Sequence, residues 1–294
     1  MNIVEAMESP KLFREQFGSV GWFGWKALLS GFYGLDMEAD LKHQYQAITG
    51  DFSPSQEYNE LWLAIGRRGG KSHIAALLAV YEAVFNDHKS KLSAGEVATV
   101  SVIAADRKQA RTVMRYIRAL LLENPMLKRL VIRDQAESIE LANRCAIEIM
   151  TASHRSTRGY TSAAAICDEI AFWHSDGANP DKEIINALRP SLATLGGKLI
   201  CLSSPYARKG ILWETYRDHY GKTSPILVAQ ADTLTMNPTL PKSIVDEAYQ
   251  QDPIAASAEY GAQFRTDVES YVTYESLEAV TRPSNLEIMP ARSH

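Results

Sequence analysis

The strongest constraint in this sequence is a junction. Residues 61–65, Leu-Trp-Leu-Ala-Ile, run directly into Gly66, Arg67, Arg68, Gly69, Gly70, Lys71 and Ser72, and residues 72–85 that follow are rich in Ala and Leu. A short apolar run reads as a buried strand, and a glycine turn that delivers Lys-Ser to a helix start reads as a phosphate cradle. Glycines let backbone N–H groups approach phosphate oxygens without obstruction and adopt positive φ where needed. In that arrangement Lys71 reaches the β and γ phosphates, and the Ser72 hydroxyl becomes a ligand of Mg²⁺. Arg67 and Arg68 add positive charge where a polyphosphate would sit. The loop departs from the general pattern GxxxxGKS/T, because Ile65 occupies the position five before Gly70 and the first glycine falls one residue late. The competing reading is a glycine-rich turn whose lysine only caps a helix.

The rest of the chain gives this junction a setting. Apolar runs at 61–65, 98–104, 146–150, 163–167, 198–202 and 226–229 alternate with helical patterns at 72–85, 107–122, 183–192 and 210–220. That alternation predicts βαβ units around a largely parallel sheet, an α/β fold flanked by helices. Residues 138–149 read alternatively as a hairpin turning at Asn143 and Arg144. Residues 1–55 form a helical region that packs on the 56–232 core. Its aromatics, Trp22, Phe23, Trp25, Phe32 and Tyr33, are expected in the core, and it ends in the turn cluster at 50–54. After Asp232 the alternation stops. Helices at 242–251 and 255–263 then form a small helical lid over 233–265, and 266–294 is a linker-like tail.

A second constellation lies about a hundred residues beyond the glycine turn, where the Ala-rich run 163–167 ends in Asp168 and Glu169. Adjacent residues at a strand end point to opposite sides, so Asp168 can face a metal while Glu169 polarises a water for in-line attack. Its alanine content leaves a helix open, and a solvated acid pair is the plain alternative.

Composition excludes other classes. With 31 Lys and Arg against 35 Asp and Glu, any grip on nucleic acid must come from a local patch. One candidate is the row Arg107, Lys108, Arg111, Arg115 and Arg118, which could follow a phosphate backbone, face a neighbouring subunit or simply meet solvent. Cys145, Cys167 and Cys201 have neither CxxC spacing nor a nearby His pair, so they read as small core residues in a reducing compartment. No apolar stretch reaches membrane-span length and the N-terminus is acidic, so a cytoplasmic location with no membrane partner is expected.

Taken together, the GRRGGKS loop, the Asp168-Glu169 pair, Cys201-Leu-Ser-Ser-Pro205 and Glu259-Tyr-Gly-Ala-Gln-Phe264-Arg265 resemble the ATPase domain of viral large terminase subunits, over about residues 40–270. The deviant phosphate loop is similar to the one that family uses. The resemblance implies a P-loop NTPase of the ASCE type with ATP and Mg²⁺ as cofactors. Lys71 and Ser72 then hold phosphate and metal, Asp168 the metal, and Glu169 the water. Ser203 and Ser204 lie in the segment that couples the γ-phosphate to movement, although a plain Ser-Ser-Pro turn reads equally from the residues. Arg158, about eleven residues before Glu169, matches an arginine offered to the neighbouring subunit, with Arg155 as competitor. Gln44 and Gln46 are both possible adenine contacts. The implied partners are double-stranded DNA, a viral portal protein, a small terminase subunit and further copies of the chain in a homo-oligomeric ring, in the cytoplasm of a bacterial host.

Family members continue into a nuclease domain. Here only about thirty residues follow, and although Asp267, Glu269, Glu275 and Glu278 lie among them, they are too few for such a sheet, so no nuclease activity is expected. A helicase-like or repair ATPase and an assembly module with a structural nucleotide stay open beside the packaging motor.

Overall fold

The computed structural model describes residues 1–50, 56–152, 159–173 and 180–266. Four helices open the chain: α1 (Ile3–Glu8), α2 (Arg14–Phe17), α3 (Phe23–Phe32) and α4 (Ala39–Thr49). Then come β1 (Glu60–Ile65), α5 (Lys71–Phe85), β2 (Ala98–Ala104), α6 (Arg107–Leu122), α7 (Pro125–Lys128), β3 (Val131–Asp134), β4 (Ser138–Leu141), β5 (Cys145–Thr151) and β6 (Thr161–Asp168). The chain continues through α8 (Pro180–Ala193), β7 (Lys198–Ser203), α9 (Gly210–His219) and β8 (Ile226–Ala231), and closes with α10 (Thr233–Met236), α11 (Lys242–Gln251) and α12 (Pro253–Glu259).

The eight strands form one sheet in the order β3-β4-β5-β2-β6-β7-β1-β8. From β5 to β8 every pairing is parallel, while β3 and β4 add an antiparallel edge. The mainly parallel, helix-flanked α/β architecture expected from the alternation is therefore present. A parallel sheet needs both faces covered, and the strands show this residue by residue. Leu61, Leu63 and Ile65 of β1 enter one core with residues of α3, α5 and α6, whereas Trp62 and Ala64 enter a second core with residues of α8 and α9. Ile200 and Leu202 of β7 join the first core, and Leu199 and Cys201 the second.

β6 is a strand despite its alanines, because its place between β2 and β7 buries it from Ser162 to Asp168 and small side chains let layers on both faces approach. The segment 138–149 is the hairpin alternative, with Arg144 in the left-handed region at φ 63° between β4 and β5. The last helix runs over Pro253–Glu259 rather than 255–263. Asp252 caps it by accepting from the Ile254 and Ala255 N–H groups, and Pro253 suits its first turn. Residues 51–55, inside the expected turn cluster, and 267–294, with Asp267, Glu269, Glu275 and Glu278, lie outside the described residues.

The basic row on α6 has a structural use. Arg107 and Arg111 reach Glu137, Arg118 pairs with Asp134 at 2.8 Å and also donates to the Gln135 carbonyl, and Arg115 donates to Thr112. Three of these side chains thus brace the β3–β4 edge, which answers most of the charge that the sequence left free for a polyanion. The three cysteines are buried and unpaired as disulfides. Among the described residues no helix is long and apolar enough to cross a membrane.

α6 begins at Asp106, whose carboxylate accepts from the Lys108 and Gln109 N–H groups. Asp106→Ala should therefore lower stability by about 1 kcal/mol, read as a reduced urea midpoint with an unchanged slope.

Candidate functional site

The carboxyl ends of β1, β7 and β6 lie side by side, and the loops leaving them build the site. β7 sits between β1 and β6. Ala64 pairs with Ser203, and Leu202 pairs with Asp168, so the three strands finish at one level. Ligands in open parallel sheets sit in such a crevice beyond the strand ends.

The glycine turn leaves β1 and enters α5. Gly70 has φ +93°, and a Cβ there would stand 2.9 Å from the Trp22 indole and 3.1 Å from Trp25 Nε1. Any other residue would be strained and would collide with the N-terminal region. Trp25 Nε1 also donates to the Gly69 carbonyl at 2.7 Å. A Cβ on Gly66 would come within 2.6 Å of the Tyr260 carbonyl, because the turn is laced to the chain after β8. The Gly66 N–H donates to the Ala231 carbonyl at 3.0 Å, Thr233 Oγ1 to the Arg67 carbonyl at 2.7 Å, and Asn237 Nδ2 to the Arg68 carbonyl at 2.9 Å. The Arg67 N–H donates to the Glu259 carbonyl, and its guanidinium pairs with the Glu259 carboxylate at 2.9 Å.

Lys71 is 6% exposed and donates to the Ile65 carbonyl at 3.0 Å and to Ser204 Oγ at 2.8 Å. Burial lowers its pKa, opposed by the nearby carboxylates of Glu169 and Asp168. Its Nζ stands 3.7 Å from Glu169 Oε1. Glu169 Oε2 in turn accepts from the Ser204 N–H at 3.1 Å and lies 3.0 Å from Ser203 Oγ. Ser203 Oγ is also 2.8 Å from the Ser204 carbonyl, and its single hydroxyl hydrogen serves one of these acceptors at a time. The structure thus gathers Lys71, Asp168, Glu169, Ser203 and Ser204 at one point, with Ser72 on the wall of the same cleft.

The acid pair does not alternate across a strand as the sequence suggested. β6 ends at Asp168, and Glu169 adopts the left-handed region at φ 52°, ψ 45°, which carries its side chain toward Ser204. The Trp173 indole fixes this turn by donating to the Asp168 carbonyl at 2.9 Å. Asp168 is 4% exposed, and its Oδ1 is buried with no hydrogen-bond partner. Burial first, and Glu169 second, push its pKa up to about 7. A buried carboxylate oxygen without a donor fits Mg²⁺, a hard cation that takes oxygen ligands, and the Ser72 hydroxyl at the start of α5 lines the cleft with Lys71 and Glu169. Among the described residues no group of three or more His, Cys, Asp or Glu gathers to hold a metal. One carboxylate plus a hydroxyl and phosphate oxygens is the set Mg²⁺ uses beside a nucleotide.

The cleft over the turn has a volume of about 590 Å³. Its walls include the turn itself, Trp22, Tyr116 and Glu169, with Met236 and Asn237 at the end of α10. Of the N-terminal aromatics, Trp25 and Phe32 are buried as expected of core, but Trp22 is only partly buried and borders this cleft. Spacing alone gives the three the same pattern, so only the packing separates them. Gln44 and Gln46 lie on α4, and neither lines the cleft. Arg158 and Arg155 lie outside the described residues.

A raised Asp168 pKa means that the folded chain binds the extra proton between about pH 4 and pH 7, so stability falls as pH rises through that window. In magnesium-free protein, Asp168→Asn should remove this slope. It should leave the variant on the order of 2–4 kcal/mol more stable than wild type at pH 8 and equal to it near pH 4. Denaturant titrations across pH read both limits.

Comparison with known proteins places this geometry. The family model described as "Uncharacterized protein MJ0330, N-terminal P-loop domain" matches residues 38–262. No curated protein sequence matches the chain. Among solved structures, the large terminase ATPase domain of Thermus phage P74-26 superposes with a TM-score of 0.56 at 17% identity, covering 80% of this chain and 97% of that one. The large terminase of bacteriophage HK97 gives 0.58 at 16% identity, covering 82% of this chain and 55% of that one. A large terminase from a thermophilic bacteriophage gives 0.50 at 11% identity, covering 71% of this chain and 49% of that one. At these identities the likeness is one of fold.

Proposed function

The chain belongs to the family described as uncharacterized protein MJ0330, N-terminal P-loop domain, and from that premise we propose that it is the ATP-hydrolysing motor domain of a viral DNA-packaging terminase, driving double-stranded DNA into a procapsid in the host cytoplasm. One observation carries the reading: Lys71, the orphaned Asp168 carboxylate and Glu169 meet beside the glycine turn, with Ser203 and Ser204 between them. The fold shared with phage terminase ATPase domains supports the packaging role.

In this reading the turn amides of Gly70 and Lys71 cradle the phosphates, and Lys71 exchanges its carbonyl and Ser204 partners for β and γ oxygens. Ser72 and Asp168 would hold Mg²⁺, which when bound supplies charge neutralisation across the β and γ phosphates. Glu169 leaves Ser203 and Ser204 and accepts a proton from the attacking water. The water oxygen bonds to the γ-phosphorus as the bond to the β,γ-bridging oxygen breaks, yielding ADP and phosphate. Arg158 of a neighbouring copy stabilises the charge on the transferred group. A homo-oligomeric ring, a portal protein and a small terminase subunit complete the proposed assembly.

Phosphate release and nucleotide binding test this directly. Lys71→Ala should bind no ATP. Glu169→Gln should bind ATP while turnover falls roughly 10²- to 10⁴-fold, and wild-type turnover in that variant removes Glu169 as the base. Arg158→Ala should bind ATP normally and lose turnover only in assembled rings. Stoichiometric ATP with no phosphate release, even with DNA and neighbouring copies present, would instead mark a structural nucleotide.

A further inference from the structure

The cleft extends past the phosphate cradle to a second end, where Trp22, His73 and Tyr116 meet Met236, Asn237 and Thr239. His73 and Tyr116 are stacked, with ring centroids 4.0 Å apart at 29°. Trp22 lies 6.1 Å from His73 and is held from behind by Phe17 at 4.8 Å. The indole abuts Gly70, so its position beside the cradle is fixed by the same contact that forbids a side chain there. The neighbouring Gly21 approaches Thr239, which brings the N-terminal turn Val20–Trp22 and the chain after α10 together around this end.

Two features say what the end can recognise. Trp22 is an aromatic left partly open in a region whose other indole, Trp25, is wholly buried, and open aromatic faces are the surface on which nucleobases stack. The polar group best placed to read a base edge is already engaged. Asn237 Nδ2 donates to the Arg68 carbonyl at 2.9 Å and its Oδ1 accepts from Thr239 Oγ1 at 2.6 Å.

Resting on the nucleotide reading above, we propose that Trp22, with His73 and Tyr116, forms the base-binding end of the site, and that it takes purine nucleotides by stacking rather than by hydrogen-bonded readout of the base edge. A site of this kind tolerates exchange of adenine for guanine, whereas one built on edge hydrogen bonds rejects the wrong base strongly.

The test is calorimetric titration of the whole chain with Mg-ATP, Mg-GTP and inorganic tripolyphosphate, the last as a probe without a base. Wild type should bind ATP and GTP within about five-fold of each other. Trp22→Ala should weaken ATP roughly 10- to 100-fold and leave tripolyphosphate unchanged, which also reports an intact cradle. Trp22→Leu, which keeps apolar packing against Gly70, should lose ATP affinity in the same way, and Trp22→Phe should regain most of it. ATP binding unaltered in Trp22→Leu, a loss shared equally with tripolyphosphate in that variant, a loss in Gln44→Ala instead, or thousand-fold rejection of GTP would each overturn the proposal. Wild type that binds neither ATP nor tripolyphosphate would sink the proposed function itself, a result distinct from the other four.

Discussion

The site depends on the parallel pairing of β7 with β1 on one side and β6 on the other. Backbone hydrogen bonds in a ladder fix register to the residue, and a slip of one would turn every side chain to the opposite face. Here that register sets Ser203 opposite Ala64 and Leu202 opposite Asp168, so three chain segments far apart in sequence end together. The two cores lock it, since Leu199, Ile200, Cys201 and Leu202 divide between them in strict alternation.

At that shared end the fold holds charges away from the solvent that would stabilise them. Lys71 is nearly excluded from water, and so is the Asp168 carboxylate, one of whose oxygens has no donor. A buried carboxylate left without partners is costly, and the Lys71, Ser204 and Glu169 contacts satisfy only part of the group. The cluster is thereby suited to receive polyphosphate and a divalent cation together, because each supplies what the other buried charge lacks.

Much of this is legible in the residues. Continuous apolar runs mark the strands, and the change from a strand pattern to glycines and Lys-Ser marks the cradle. What stays hidden is set by long-range packing. Nothing local distinguishes Trp22 from Trp25, yet one borders the cleft and the other is core. The row of arginines on α6 looks free in sequence because its partners, Glu137 and Asp134, belong to an edge hairpin that only the fold brings alongside. The turn at Glu169 escapes a reading of the residues because a left-handed glutamate has no signature of its own. Its conformation follows from what surrounds it, the Trp173 indole and the Ser203–Ser204 segment.

The lacing of the glycine turn has a mechanical corollary. Carbonyls of Arg67 and Arg68 face the cleft's rim as acceptors for Thr233 and Asn237, while the amides of Gly66 and Arg67 are spent on Ala231 and Glu259. The peptide units of the glycine turn are thus the same ones that tether α10 and the end of α12. The shape of the turn and the seating of these helices are therefore set by one shared group of hydrogen bonds, so a substitution at Thr233 or Asn237 alters the loop without touching its own residues.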